Sequence, residues 1–270
     1  MTGAATATDP ILAAIRDANY RQGGLRCLRL FRVDDATFAA LHEEVLALCR
    51  DGRPSDVGDE RHATHWTRPR GEVKQYSLLN RSGRFDDFSD DHDHSCIGKR
   101  FAHGDRYQAL AGFVASFPHA VNMRLNALGP RATLSAHKEN AVFRANDGTV
   151  AICARFHLPV VAESEAEIIL EDQVFSLERG IVHFVNHGCV HAARNRGGAM
   201  RLHLVWDMLL TREATELMFG ETPPPAGMSR FAAPSHAVPV LRTERMGAAN
   251  LLRDLVAVDA ARIVAYCPPQ

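Results

Sequence analysis

The chain has little of what ties a protein to a large charged partner or to a bilayer. Lys and Arg number 31 against 32 Asp and Glu, a net charge of −1, so there is no basic surplus for nucleic acid and no polybasic patch for anionic lipid. No apolar run approaches the roughly 18 residues of a membrane span. The opening "MTGAATATDPILAAIRDANY" lacks the basic start and apolar core of a secretory leader. These absences predict a cytoplasmic protein with a small-molecule or amino-acid-like substrate, no nucleic-acid partner and no membrane contact; the sequence carries no signal for an oligomeric state. Six cysteines, Cys27, Cys49, Cys96, Cys153, Cys189 and Cys267, form no CxxC pair. That excludes a zinc ribbon and a dense disulfide framework, and leaves reduced thiols. Internal repeats and low-complexity tracts are also lacking.

What is present reads as one structural domain of 270 residues, 46% of them hydrophobic. "LRCLRLFRV" (25–33) predicts a strand. "DDATFAALHEEVLALCRD" then switches to helical spacing, with Phe38, Leu41, Val45 and Leu48 on one face and Asp34 or Asp35 as cap. From 52 to 106 the chain is rich in Asp, Gly, Arg, Ser and His, which predicts long loops around short strands, with one apolar segment near "KQYSLL". "YQALAGFVASFP" predicts a second helix, stopped by Pro118. Between 121 and 210 short β-rich runs alternate with turn chemistry: "NMRLNAL", "ICARFHLPVV", "EIIL", "QVFSL", "IVHFV" and "MRLHLVWDMLL". Such runs predict an antiparallel sandwich or barrel. "ETPPPAGMSRFAAP" (221–234) reads as a Pro-rich connector, and "GAANLLRDLVAVDAARIVAY" as a terminal helix and strand. The expected organisation is an N-terminal helical and loop region (1–120), a β core (121–215) and a C-terminal extension (216–270).

The chemistry concentrates in the β core. In a strand, residues i and i+2 share a side, so His137 and Glu139 can present an imidazole and a carboxylate to one point. With His191 from a distant strand they make two histidines and one carboxylate, the facial arrangement that leaves positions open and suits non-haem Fe(II) and O2. Arg201 opens the strand after the "NRGGA" turn. An inward-pointing guanidinium is costly unless it meets an anion, for which its planar fork is well shaped. Taken alone, a lone HxE among fourteen histidines is a common spacing, and Arg201 could equally be an exposed edge residue; the combination is what favours a site.

That combination resembles the Fe(II)/2-oxoglutarate oxygenases, and more closely the aspartyl/asparaginyl β-hydroxylase family, over about residues 121–210. The resemblance is carried by "MRLNALGPRATLSAHKE" leading into the first histidine, by "RFHLPV", by the glycine turn in "LERGIVHFVNHGCVHAARN", and by the ten-residue step from His191 to the arginine of "MRLHLVWD". It implies a double-stranded β-helix, a cupin-like jelly roll that is mainly β with flanking helices. It implies His137 and His191 as iron ligands, with Arg201 clamping the distal carboxylate of 2-oxoglutarate. Asn126 matches a position that assists that clamp, His157 one near the metal-side end of the cosubstrate, and Arg155 one that meets an acidic or carboxylate-bearing substrate. Glu139 departs from relatives that lack a carboxylate ligand, stands where Asp is commoner, and argues against halide transfer. "NAVFRANDGTVAICA" makes the step to "RFHL" long and predicts an extended loop. The implied activity is hydroxylation of an amino acid, peptidyl residue or amino-acid-derived metabolite, with Fe(II), O2 and 2-oxoglutarate consumed to succinate and CO2. Two rivals are a cupin-like metalloenzyme that does not use 2-oxoglutarate and a non-catalytic jelly-roll binding module.

Other candidates read more blandly. His183 in "IVHFV" reads as a core residue or one behind the ligands, and His187 as a turn residue. His203 shares strand parity with Arg201 and so points inward with it. "FDDFSDDHDHSC" (85–96) is metal-hungry in composition but reads as a solvated acidic loop, and "RHATHW", with His62 and His65, as a substrate-side loop. Trp206 and Phe184 read as core.

Overall fold

The computed structural model describes residues 25–57, 69–137, 139, 142–145, 150–163, 165–236, 239–240 and 266–267. The N-terminal 24 residues, the "RHATHW" loop and the expected helix after 247 lie outside them.

The strands form two antiparallel sheets. The large one runs, neighbour to neighbour, β14 (Met228–His236), β1 (Cys27–Val33), β11 (Ile181–Val185), β8 (Val150–Val161), β13 (Arg201–Leu209), β5 (Ala120–Leu128), β4 (Val73–Ser77) and β2 (Ser55–Asp56). Attached to β8 is β7 (Val142–Ala145), itself paired with β16 (Tyr266–Cys267). The small sheet runs β15 (Pro239–Val240), β10 (Gln173–Phe175), β9 (Ala166–Leu170), β12 (His191–Asn195), β6 (Thr133–His137) and β3 (Pro69–Arg70). Two facing sheets joined by such crossings are a jelly roll.

Strand parity explains why the middle of the large sheet is buried on both faces yet far from uniformly apolar. On β13, Leu202, Leu204, Trp206 and Met208 point one way, into the main core. On β8 the same face carries Phe156, Leu158 and Val160, and on β5 Met123, Leu125 and Ala127. Three helices cover this face: α1 (Asp35–Asp51), α2 (Gln108–Ala115) and α3 (Arg212–Phe219). Helix α1 starts where Asp34 accepts a hydrogen bond from the Thr37 amide, and it buries Leu41, Val45 and Leu48; each such side chain contributes roughly 1.5–3 kcal/mol on leaving water. Trp206 is wedged against Phe113, Phe117 and Phe156 at 4.6–5.7 Å between ring centres. The opposite parity, Arg201, His203, Val205 and Asp207, faces the small sheet and is buried as well. A thinner apolar cluster that includes Leu128, Ile168, Phe175, Val185 and Ala193 closes the space between the sheets.

Three sequence expectations change. The connector 221–234 ends in β14, an edge strand on β1. Its register slips between Arg29, paired with Ser235, and Phe31, paired with Arg230, and Pro234 lies between those pairs on an edge strand, where proline is tolerated. The long step before "RFHL" is a β-hairpin, with Val142 opposite Ile152. Helix α3 was not expected: Thr211 caps it by accepting from the Ala214 amide, and it buries Ala214, Met218 and Phe219.

Candidate active site

The two histidines come from the small sheet. His137 ends β6 and His191 begins β12, and the two are directly paired across the ladder. The register then slips between His191 and Ala193; such a bulge re-aims side chains at a site. The ring centres are 4.2 Å apart. Each ring is held the same way, Nδ1 lying 2.8 Å from the Ser135 carbonyl and 2.9 Å from the Cys189 carbonyl, each two residues upstream. Since a carbonyl only accepts, both Nδ1 atoms carry the proton and both Nε2 lone pairs are free. The Nε2 of His191 is buried without a hydrogen-bond partner.

Glu139 stands beside them, its Oε1 3.5 Å from His137 Nε2 and 3.8 Å from His191 Nε2. One donor atom from each of the three lies within 4.8 Å of the others. An ion about 2.1 Å from each at right angles needs donors about 3 Å apart, so the three would draw together around it. Two imidazole nitrogens and one carboxylate, with an open pocket in front, fit a catalytic ferrous ion. Burial lowers the His191 pKa, keeping the ring neutral and competent to ligate. Burial opposes ionisation of Glu139, but the adjacent Arg155 charge and the two hydrogen bonds from its guanidinium hold its pKa well below the carboxylate range.

The large sheet supplies the opposite wall. The pocket is lined by Gln75, Arg124, Asn126, His157, Arg155 and Arg201 on that side and by apolar Leu134, Ile168, Val185 and Ala193 around them. Arg201 is 2% exposed. It has no carboxylate partner among the described residues; Nη2 bonds to His203 Nδ1 at 2.7 Å and Nε is unpaired. Burial pushes its pKa down to about 9, which leaves it charged at neutral pH. Since guanidinium can only donate, His203 accepts at Nδ1 and carries its proton on Nε2. His157 lies with Nδ1 3.5 Å from the same atom, at the limit of hydrogen-bond range. Burial keeps both rings neutral, with the Arg201 charge adding to the effect.

The expected residues His137, Glu139, His191, Arg201, Asn126, His157 and Arg155 thus all line one pocket. Arg155 is more engaged than expected: Nε and Nη2 bond Asp207 at 2.8 and 2.9 Å, and Nη1 and Nη2 bond Glu139 at 2.8 and 2.5 Å. Of its five N–H groups, one on Nη1 remains. His183 and His187 are buried, with pKa pushed down to about 4 and about 3 by burial; neither belongs to the ligand cluster. The acidic loop is not simply solvated: Asp90 and Asp91 are buried and Asp91 pairs with Arg124 at 3.2 Å.

Three residues were missed. Gln75 lies opposite Asn126, which lies opposite His203. The side-chain oxygens of Gln75 and Asn126 are buried and unpaired; the alternation Val73, Gln75, Ser77 was the available signal. Asp207 and Arg124 meet on the inner face, and Asp207 was signalled only by sharing parity with Arg201.

The sequence profile of the aspartyl/asparaginyl β-hydroxylase family matches residues 59–210. No curated protein matches significantly. Among solved structures, a Pseudomonas putida prolyl-4-hydroxylase is 13% identical over 74% of this chain and 99% of its own, with a TM-score of 0.41. A 2OG-Fe(II) oxygenase family oxidoreductase from Burkholderia pseudomallei is 14% identical over 61% of this chain and 76% of its own, at 0.35. HygX from Streptomyces hygroscopicus, solved with nickel and 2-oxoglutarate, is 11% identical over 66% and 82%, at 0.37. No helix among the described residues is long and apolar enough to cross a membrane.

Proposed function

Because the chain belongs to the aspartyl/asparaginyl β-hydroxylase family, we propose that this pocket is the centre of an Fe(II)- and 2-oxoglutarate-dependent hydroxylase, with His137, Glu139 and His191 as ligands and Arg201 as the cosubstrate clamp. The observation that carries it is the buried guanidinium of Arg201, without a carboxylate partner among the described residues, in the wall that faces the ligand cluster. A buried cation without a counter-charge costs several kcal/mol; a dicarboxylate that reaches from metal to Arg201 offsets this.

The bound iron and 2-oxoglutarate supply the oxidising chemistry, with succinate and CO2 released. The protein contributes position and exclusion of water. His203 Nδ1 orients Arg201, Gln75 and Asn126 offer amides that either carboxylate oxygen can use once flipped to present NH2, and His157 lies against His203 in the same pocket wall. Leu134, Ile168, Val185, Ala193 and Val205 form the apolar surround. The remaining N–H of Arg155 Nη1 is the group offered to an acceptor on the substrate, which supports an amino acid, a peptidyl residue or a small amino-acid-derived metabolite. Cys27, Cys49, Cys96 and Cys153 are unbridged thiols, which supports a reducing, cytoplasmic setting.

Purified protein given Fe(II), ascorbate and 2-oxoglutarate is expected to release succinate slowly without its substrate. A cupin that does not use the cosubstrate would bind metal without this turnover, and a binding module would show neither.

A further inference from the structure

The proposed reaction makes no use of Asp207, Arg124 or Asp91, yet these are buried charged groups of the large-sheet face and the loop beside it. They form a chain of alternating charge that ends on the metal-side carboxylate. Asp91 pairs with Arg124 at 3.2 Å, Arg124 with Asp207 at 3.2 Å, and Asn122 Nδ2 donates to Asp207 at 2.9 Å. Asp207 takes both the Nε and Nη2 edges of Arg155, whose other edge grips both oxygens of Glu139.

Resting on the reading of His137, Glu139 and His191 as metal ligands, we propose that Arg155, fixed by Asp207, is a positioning residue that braces the glutamate ligand. Glutamate has one more rotatable bond than aspartate and must be held if it is to ligate at one point. The fork does this: Oε2 is turned to Nη2, and Oε1 is turned to the histidine pair, 3.5 and 3.8 Å from their Nε2 atoms. Oε1 accepts one bond from Nη1 and keeps a second lone pair for the ion. The Arg155 charge does not simply repel a dication, because Asp207 lies against it at 2.8 Å. The brace therefore favours one-oxygen ligation and accounts for a glutamate at this position.

The test is Co(II) binding by calorimetry, with the visible Co(II) absorption as a second readout, on wild type, R155K, R155M, E139A, R155M/E139A and H191A, each checked for a native melting transition. Loss of a group that orients a ligand typically weakens metal binding 10–100-fold. R155M is expected to weaken Co(II) binding within that range and to change the absorption as E139A does, with R155K intermediate; R155M/E139A is expected to bind no more weakly than E139A alone. R155K keeps the charge, so it decides the matter if R155M does not fold. Unchanged affinity in a folded R155M or R155K overturns the proposal, as does tighter binding, the mark of Arg155 competing with the ion. An equal loss in the E139A background also overturns it, since Arg155 would then act through the fold. If wild type binds no Co(II), or H191A binds it equally well, the ligand assignment falls and the brace with it.

Discussion

Replacing Arg201 by Met separates the cost of the buried cation from its use. In the protein without cosubstrate the guanidinium is 2% exposed, has one hydrogen bond, to His203, and meets no carboxylate among the described residues. Removing an uncompensated buried charge should recover several kcal/mol, less about 1 kcal/mol because His203 Nδ1 loses its donor. A net gain of about 1–3 kcal/mol raises Tm by several degrees, at roughly 2–4 °C per kcal/mol for a chain near this size. With 2-oxoglutarate the order reverses. Two charge-assisted bonds at about 1.5–3 kcal/mol each are lost, so about two to four orders of magnitude more cosubstrate is needed, at 1.4 kcal/mol per decade. The assay is thermal unfolding with Mn(II) across a 2-oxoglutarate titration. At a hundred times Kd wild type should gain about 2.7 kcal/mol while R201M gains almost nothing. A variant less stable than wild type without cosubstrate, or one that keeps the wild-type titration midpoint, refutes the reasoning.

Q75A and N126A should each raise the KM for 2-oxoglutarate by roughly 3–10-fold, about one neutral hydrogen bond, with little effect on Co(II) affinity; steady-state succinate release reads this. His183 is buried with its pKa pushed down to about 4, below the unfolded value near 6.5. Its contribution is therefore full above about pH 6.5 and lost as pH falls from there toward 4, up to about 3 kcal/mol; the stability of H183L, followed by urea unfolding from pH 7 to 4.5, should fall less steeply than that of wild type. W206A should cost about 3–5 kcal/mol, since the ring packs on Phe113, Phe117 and Phe156, and W206F much less; denaturant midpoints decide.

The parity of "RLHLVWDML" was readable from sequence, and with it the inward aim of Arg201 and His203. So was α1, because its apolar positions recur at helical spacing beside a capping aspartate. The pairing of His137 with His191 was legible only through the family resemblance, since the two lie on strands too short to carry a clear pattern of their own. The Asp91, Arg124, Asp207 and Arg155 chain was not legible: its members come from four places in the sequence, and each charge alone has the look of a solvated residue. Strand β14 was hidden by Pro234, which composition reads as a linker and the sheet tolerates at its edge.

The most direct test is an anaerobic crystal soak with Fe(II) and 2-oxoglutarate, read by anomalous scattering at the iron edge. The account predicts one strong peak in contact with His137 Nε2, His191 Nε2 and a single Glu139 oxygen, with cosubstrate density that ends on the Arg201 guanidinium. Iron absent from that point, or 2-oxoglutarate bound with its far carboxylate away from Arg201, would contradict it.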